Sequence, residues 1–153
     1  MKKKVLAILV TAAMVCGLAA CGNSADGGNS SVKGGEASGE TTYRVGICQL
    51  VQHESLDAAT QGFQDALVEE FGTNVEFDVQ NAQNDSNTCS TIINSFVSND
   101  VDLILANATA SLQAAASGTD KIPVLGTSVT EYGIALGIDD FNGTVGGNIS
   151  GTS

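Results

Sequence analysis

Four short apolar runs recur near residues 45, 76, 104 and 124, with helical patterns between them. This rhythm constrains the chain more than any other feature. Strands alternating with helices specify parallel β-α-β units, because a parallel neighbour can be reached only by a crossover. The third run, Asp102-Leu103-Ile104-Leu105-Ala106, is apolar beyond its first residue. That is expected of a central strand covered on both faces. Around residues 75–79, by contrast, Val75, Phe77 and Val79 alternate with Glu76 and Asp78. Such alternation marks a half-exposed strand near a sheet edge. The fold class is therefore α/β, a doubly wound parallel sheet.

The intervening segments carry helical periodicity. Ala59, Gly62, Phe63, Ala66, Leu67 and Phe71 share one stripe, with Ser55 or Asp57 as the expected N-cap and Gly72 as the stop. Cys89, Ile92, Ile93, Phe96 and Val97 form a second stripe, with Asp85 or Ser86 as its cap. The spacing predicts a polar loop over 107–111, then a short helix over 112–116 that stops near Gly118. A fourth strand follows at 122–126, with Pro123 near its start, where a missing donor matters least. Beyond Thr127 the pattern loosens to a turn of helix at 132–136 and a strand-like Asn148-Ile149-Ser150 in a Gly-rich tail. An α/β pattern that ends in this way reads as the first part of a longer protein.

The segment before residue 43 has a different character. Lys2, Lys3 and Lys4 precede an apolar run from Val5 to Cys16, and small residues lead on to Leu18-Ala19-Ala20-Cys21. The run matches a signal-peptide h-region and is shorter than the ~20 apolar residues a membrane-spanning helix needs. Leu-Ala-Ala-Cys in this position resembles a bacterial lipobox. The resemblance implies cleavage before Cys21, lipidation of its thiol, and a lipid anchor on the extracytoplasmic face of the cell membrane. Residues 22–42 are rich in Gly, Ser, Asn, Asp and Glu, a composition that cannot bury enough surface to offset its ordering. The expected organisation is thus a leader at 1–20, a flexible tether at 21–42 and a folded lobe at 43–153.

Charge excludes one class of partner. Once the leader is removed, three basic residues (Lys33, Arg44 and Lys121) face 17 acidic ones, a net charge of −14. Nucleic-acid binding needs clustered Lys and Arg, which this chain lacks. Acidic lipid surfaces would repel it too, so the acyl chain must hold it at the membrane. Of four cysteines, Cys16 falls in the leader and Cys21 in the lipobox, leaving Cys48 and Cys89. Their spacing offers no zinc motif. An extracytoplasmic location permits a disulfide, but both lie in apolar patterns that read as small buried hydrophobes.

Catalytic motifs are missing. The chain has no G-x-G-x-x-G between strand and helix, no phosphate-binding G-x-x-x-x-G-K-[ST] and no G-x-S-x-G elbow. Cys48 lies within a strand run, where burial should raise its pKa and suppress nucleophilicity. Neither a catalytic residue, a metal nor a cofactor is expected. Asn142-Gly143-Thr144 and Asn148-Ile149-Ser150 fit a glycosylation pattern that a bacterial lipoprotein has little use for.

Several segments together carry a family likeness. Val45-Gly46-Ile47-Cys48-Gln49, His53-Glu54-Ser55-Leu56-Asp57, Asn81-Ala82-Gln83-Asn84-Asp85, Leu103-Ile104-Leu105-Ala106-Asn107-Ala108-Thr109 and Gly146-Gly147-Asn148-Ile149-Ser150-Gly151 occur in order. The series resembles the ABC-transporter substrate-binding lipoproteins of the type I periplasmic-binding-protein superfamily, in particular the tryptophan, tyrosine and phenylalanine group. The resemblance implies two Rossmann-like lobes closing on a small ligand, of which this chain holds the first. It also implies an ABC permease as partner and an amino acid, with aromatic ones favoured, as ligand. Ala110 and Tyr132 stand where family members usually carry proline, which leaves the shape of both loops open. Position at strand ends and this likeness select Gln49, His53 and Leu56, then Thr109, Ala110 and Ser111, then Thr127 and Ser128 as ligand contacts. Each has a plainer reading, as a helix cap or a solvated loop residue. A lipid-anchored sensory domain of the same fold is the alternative function.

Overall fold

The computed structural model describes residues 41–152, so the leader, Cys21 and nearly all of the tether lie outside the described residues. Five strands, β1 (Tyr43–Gln49), β2 (Val75–Asn81), β3 (Leu103–Asn107), β4 (Val124–Thr127) and β5 (Ile149–Gly151), form one sheet in the order β2-β1-β3-β4-β5. All four pairings are parallel. The helices are α1 (Glu54–Phe71), α2 (Ser86–Ser98), α3 (Thr109–Gly118) and α4 (Tyr132–Leu136).

The sheet order fixes which face each helix covers. Right-handed crossovers place α1, which leads outward from β1 to β2, on one face. The crossovers from β2 to β3, β3 to β4 and β4 to β5 run the other way, so α2, α3 and α4 take the opposite face. Packing follows this division. Val45, Ile47 and Leu105 form a small cluster with Phe63 and Leu67 of α1. Cys48, Ile104, Ala106 and Val124 join Ile92, Ile93, Phe96 and Leu112 in the main core. The direction of winding reverses between β1 and β3. In open α/β sheets, ligands gather at the carboxyl ends of the strands beside this reversal.

Two expected features hold: β2 is an edge strand and β3 is interior. Three boundaries differ. α1 begins at Glu54, capped by His53 rather than by Ser55 or Asp57. α3 begins at Thr109, so residues 109–111 form its first turn instead of a loop. β4 begins at Val124, two residues later than the apolar run suggests: Pro123 has no N–H for a ladder bond, and the Ile122 carbonyl accepts from the Asn148 side chain.

Candidate functional site

The carboxyl edge of the sheet is stitched into a continuous rim. Ala82 N–H donates to Gln49 O at 2.8 Å and Asn84 N–H to Leu50 O at 2.7 Å. Leu50 N–H donates to Asn107 O at 3.2 Å, and Ala108 N–H to Thr127 O at 2.9 Å. The loops after β1, β2, β3 and β4 therefore hold fixed positions relative to one another. Such stitching lets loop residues act as a preorganised surface.

Helix N-termini point toward this rim, and three of the four have side-chain caps. His53 Nδ1 accepts from Ser55 N–H at 3.3 Å and contacts Ser55 Oγ at 2.9 Å. Asp85 Oδ1 accepts from Thr88 N–H at 2.6 Å, a bond that holds its carboxyl below the ordinary carboxylate value. Glu131 accepts from the N–H groups of Gly133 and Ile134. At α3 the cap position is Ala108, which has no side-chain acceptor to offer. Its φ of 98° and ψ of 162° lie in a region that glycine occupies freely and alanine rarely. The first-turn N–H groups of α3 are thus the set left without a side-chain cap, where an anion or carboxylate is favoured.

Beneath the rim, on the α1 side, lies a polar network. Gln49 Nε2 donates to Val51 O at 2.9 Å and to Asp57 Oδ1 at 2.6 Å. Thr60 Oγ1 donates to Gln49 Oε1 at 2.7 Å, and Asn107 Nδ2 donates to Thr60 Oγ1 at 3.0 Å and to Leu56 O at 2.8 Å. Gln49, Thr60 and Asn107 are all buried.

On the opposite face, Cys48 and Cys89 are buried free thiols that meet at Ser111. The Cys48 thiol donates to Ser111 Oγ at 3.6 Å, and the Cys89 sulfur lies 3.7 Å from the same oxygen. Burial pushes the Cys48 thiol up to about 12, and the neighbouring Cys89 adds to that against the opposing Ser111 bond. A thiol so protonated is no nucleophile at neutral pH.

The candidates from sequence fall into two groups. His53 and Ser128 are exposed, and Leu56, Thr109, Ala110 and Thr127 are half-buried along the rim. Ser111 points into the core between two cysteines, and the Gln49 side-chain amide is hydrogen-bonded within the network. Strand-end position and the family likeness do not select Thr60 or Asn107. A signal for Thr60 was present: a polar residue three before Phe63 and seven before Leu67, on the apolar stripe of α1. Among the described residues no group of three or more His, Cys, Asp or Glu side chains is placed to hold a metal.

The fold is a doubly wound α/β lobe whose loops form a stitched rim at the carboxyl ends of the strands, where proteins of this architecture bind their ligands. Residues 44–153 match the family model described as ABC transporter substrate binding protein, and the chain belongs to that family. It is 39% identical to a tyrosine-binding protein of Clostridioides difficile over 99% of its own length and 44% of the relative's. The chain therefore spans less than half the length of that curated relative. Among solved structures it is similar to a ligand-free, open substrate binding protein with adhesive properties from Clostridium difficile. That match has 43% identity and a TM-score of 0.67, covering 73% of this chain and 39% of the other. It is also similar to an ABC domain from Streptococcus pneumonia in complex with L-Trp. There the identity is 32% and the TM-score 0.66, over 72% and 38% of the two chains.

Proposed function

We propose that this chain is the first lobe of an extracytoplasmic lipoprotein that captures an aromatic amino acid for an ABC importer. The observation that carries this reading is the uncapped N-terminus of α3 beside a rim of neutral donors and apolar side chains. A zwitterion's carboxylate suits that position, because free N–H groups and the helix dipole favour a negative charge. Thr109 Oγ1, Thr127 Oγ1 and Ser128 Oγ are neutral hydroxyls at the same strand ends, and Leu56 and Ala110 offer apolar surface. Relatives that bind tyrosine and L-Trp support the aromatic class. The second wall of the cleft belongs to a second lobe that this chain does not contain, and the permease and the acyl anchor on Cys21 complete the transport reading.

The test is calorimetric titration of the full-length gene product with L-tyrosine, L-tryptophan, L-phenylalanine, L-leucine and glucose. Saturable binding of an aromatic amino acid in preference to the others is the expected result. Binding of glucose alone would remove the amino-acid assignment.

A further inference from the structure

The network under the rim has only one consistent polarity, and a single hydroxyl links its two amides. Val51 O and the Asp57 carboxylate are acceptors only, so both must face the Gln49 Nε2 amine. Gln49 Oε1 is then turned toward Thr60, whose one hydroxyl proton must go there. The Thr60 oxygen can only accept from its other side, and this turns the Asn107 Nδ2 amine toward α1, where Leu56 O accepts its second proton. Asn107 Oδ1 is left buried without a partner among the described residues. An unpaired buried acceptor is costly, and the network already carries one.

Thr60 is also the one buried residue of α1 among its 18. Its hydroxyl therefore joins β1, β3 and α1 at the point where the 50–57 turn, made of the loop at 50–53 and the first turn of α1, lifts off the sheet. That segment bears His53 and Leu56. Removing the hydroxyl would leave Gln49 Oε1 as a second orphan. Beside it lies a cavity of about 250 Å³ lined by Gln49, Gln52, Asp57 and Thr60, among others, into which the released Gln49 side chain has room to swing. Swinging out would break the bonds to Val51 O and Asp57 Oδ1 that hold the turn.

We infer that Thr60 is a positioning residue for the binding rim: through Gln49 it fixes the 50–57 turn that presents His53 and Leu56. The expected contribution to ligand affinity rests on the function proposed above, whereas the effect on the turn does not.

The experiment uses the full-length protein as wild type, Thr60→Val, Thr60→Ser and Leu67→Ala. The last variant destabilises the same helix away from the network. Amide hydrogen exchange is measured first, without ligand. Thr60→Val should speed exchange at residues 50–57 by about tenfold, the effect of one lost buried hydrogen bond, while α2 and Thr60→Ser stay near wild type. Thr60→Ala replaces Thr60→Val if the latter does not fold. Affinities for L-tyrosine and L-tryptophan are then measured well below the lowest melting temperature. Thr60→Val should weaken binding by about tenfold, with Thr60→Ser restoring it and Leu67→Ala leaving it within about twofold. Unchanged exchange at 50–57 in Thr60→Val would overturn the inference, and so would an equal loss of affinity in Leu67→Ala. A wild-type protein that binds neither amino acid would defeat the ligand reading alone, with exchange still deciding the role of Thr60.

Discussion

The ring of Phe96, in α2, occupies the space that a side chain on Gly46, in β1, would need. A Cβ built on Gly46 would stand 2.6 Å from Phe96 Cδ2 and 2.7 Å from Cγ. Both residues are buried and Phe96 is wholly so. β1 is hydrogen-bonded on both sides, to β2 and β3, so it cannot give way. Gly46→Ala should therefore destabilise the lobe by about 3 kcal/mol, the upper end of the usual overpacking cost. Phe96→Ala should cost about 3–5 kcal/mol through the cavity it leaves. Urea unfolding curves check both. The double variant should lose less than the sum, because the methyl on Gly46 partly fills the space the ring vacates.

Burial of Cys48 has a measurable chemical consequence. Its thiol stays protonated in the folded lobe up to about 12, against an ordinary value of 9.0. At pH 8 a disulfide reagent such as DTNB should leave Cys48 and Cys89 unlabelled in the native protein and label both once urea is added. The sign of the pH effect follows from the raised folded value. Below pH 9 both states hold the proton; above it the unfolded chain releases a proton the folded chain retains. Stability should therefore fall as pH rises from 9 toward 12, and Cys48→Ala should show a flatter alkaline limb. Prompt labelling of the native protein would contradict the burial on which this rests.

Much of this architecture was legible in the sequence because apolar runs and spacing decide it. The first four strands and the edge position of β2 follow from alternation and continuous apolar runs, capping chemistry narrows the start of α2 to Asp85 or Ser86, and β5 shows only as a strand-like patch in a Gly-rich tail. The site was less legible for definite reasons. Histidine is an uncommon cap, so Ser55 and Asp57 attracted the start of α1 that His53 actually sets. Residues 109–111 look like loop because Ala108, an alanine at positive φ, cannot announce itself as a cap. Gln49 stands at the end of β1 and alternation turns it into the network, whereas Ser111 lies in the first turn of α3, which turns it toward Cys48 and Cys89. The direction a side chain faces at a strand-to-helix junction depends on where the helix begins, and α3 begins at Thr109, three residues before the spacing predicts.

Asp85 gives a prediction at the acid end. Hydrogen bonds from the backbone of Thr88 hold its carboxyl below the ordinary 3.8. A depressed folded value contributes stability above the unfolded value, and that contribution is lost as pH falls through the lower folded value. Asp85→Asn can still cap α2 through its amide oxygen but has no proton to take up. Its stability between pH 4 and pH 2 should therefore fall less steeply than that of the wild type, with little difference at pH 7. Parallel acid limbs in the two proteins would show that the cap does not titrate with folding.

Ala108 should improve as glycine. Its φ of 98° places an alanine where strain of about 1–3 kcal/mol is normal. Glycine removes that strain but loses about 0.5–1 kcal/mol to a more flexible unfolded chain. Ala108→Gly should therefore gain about 1 kcal/mol in urea unfolding, whereas Ala108→Val should lose stability, since a branched side chain tolerates this conformation least. Loss of stability in the glycine variant would mean that the neighbours of Ala108 hold its backbone without strain.

The ligand reading makes its sharpest prediction through the carboxylate. If the uncapped first turn of α3 receives that group, a ligand with the same ring and ammonium but no negative charge loses the main polar contact offered by this lobe. Tyrosinamide should bind the full-length protein about 10–100-fold more weakly than L-tyrosine, the range of a charge-assisted hydrogen-bond set worth about 1.5–3 kcal/mol. Raising salt should narrow the gap only slightly, because a desolvated cleft is poorly screened. A phenolic acid that keeps the carboxylate but lacks the ammonium separates the two ends of the zwitterion. If it binds no worse than tyrosinamide, the carboxylate is at least as strong an anchor as the ammonium, as the free N–H groups of Thr109, Ala110 and Ser111 imply. Equal binding of L-tyrosine and its amide would move the carboxylate away from α3 altogether.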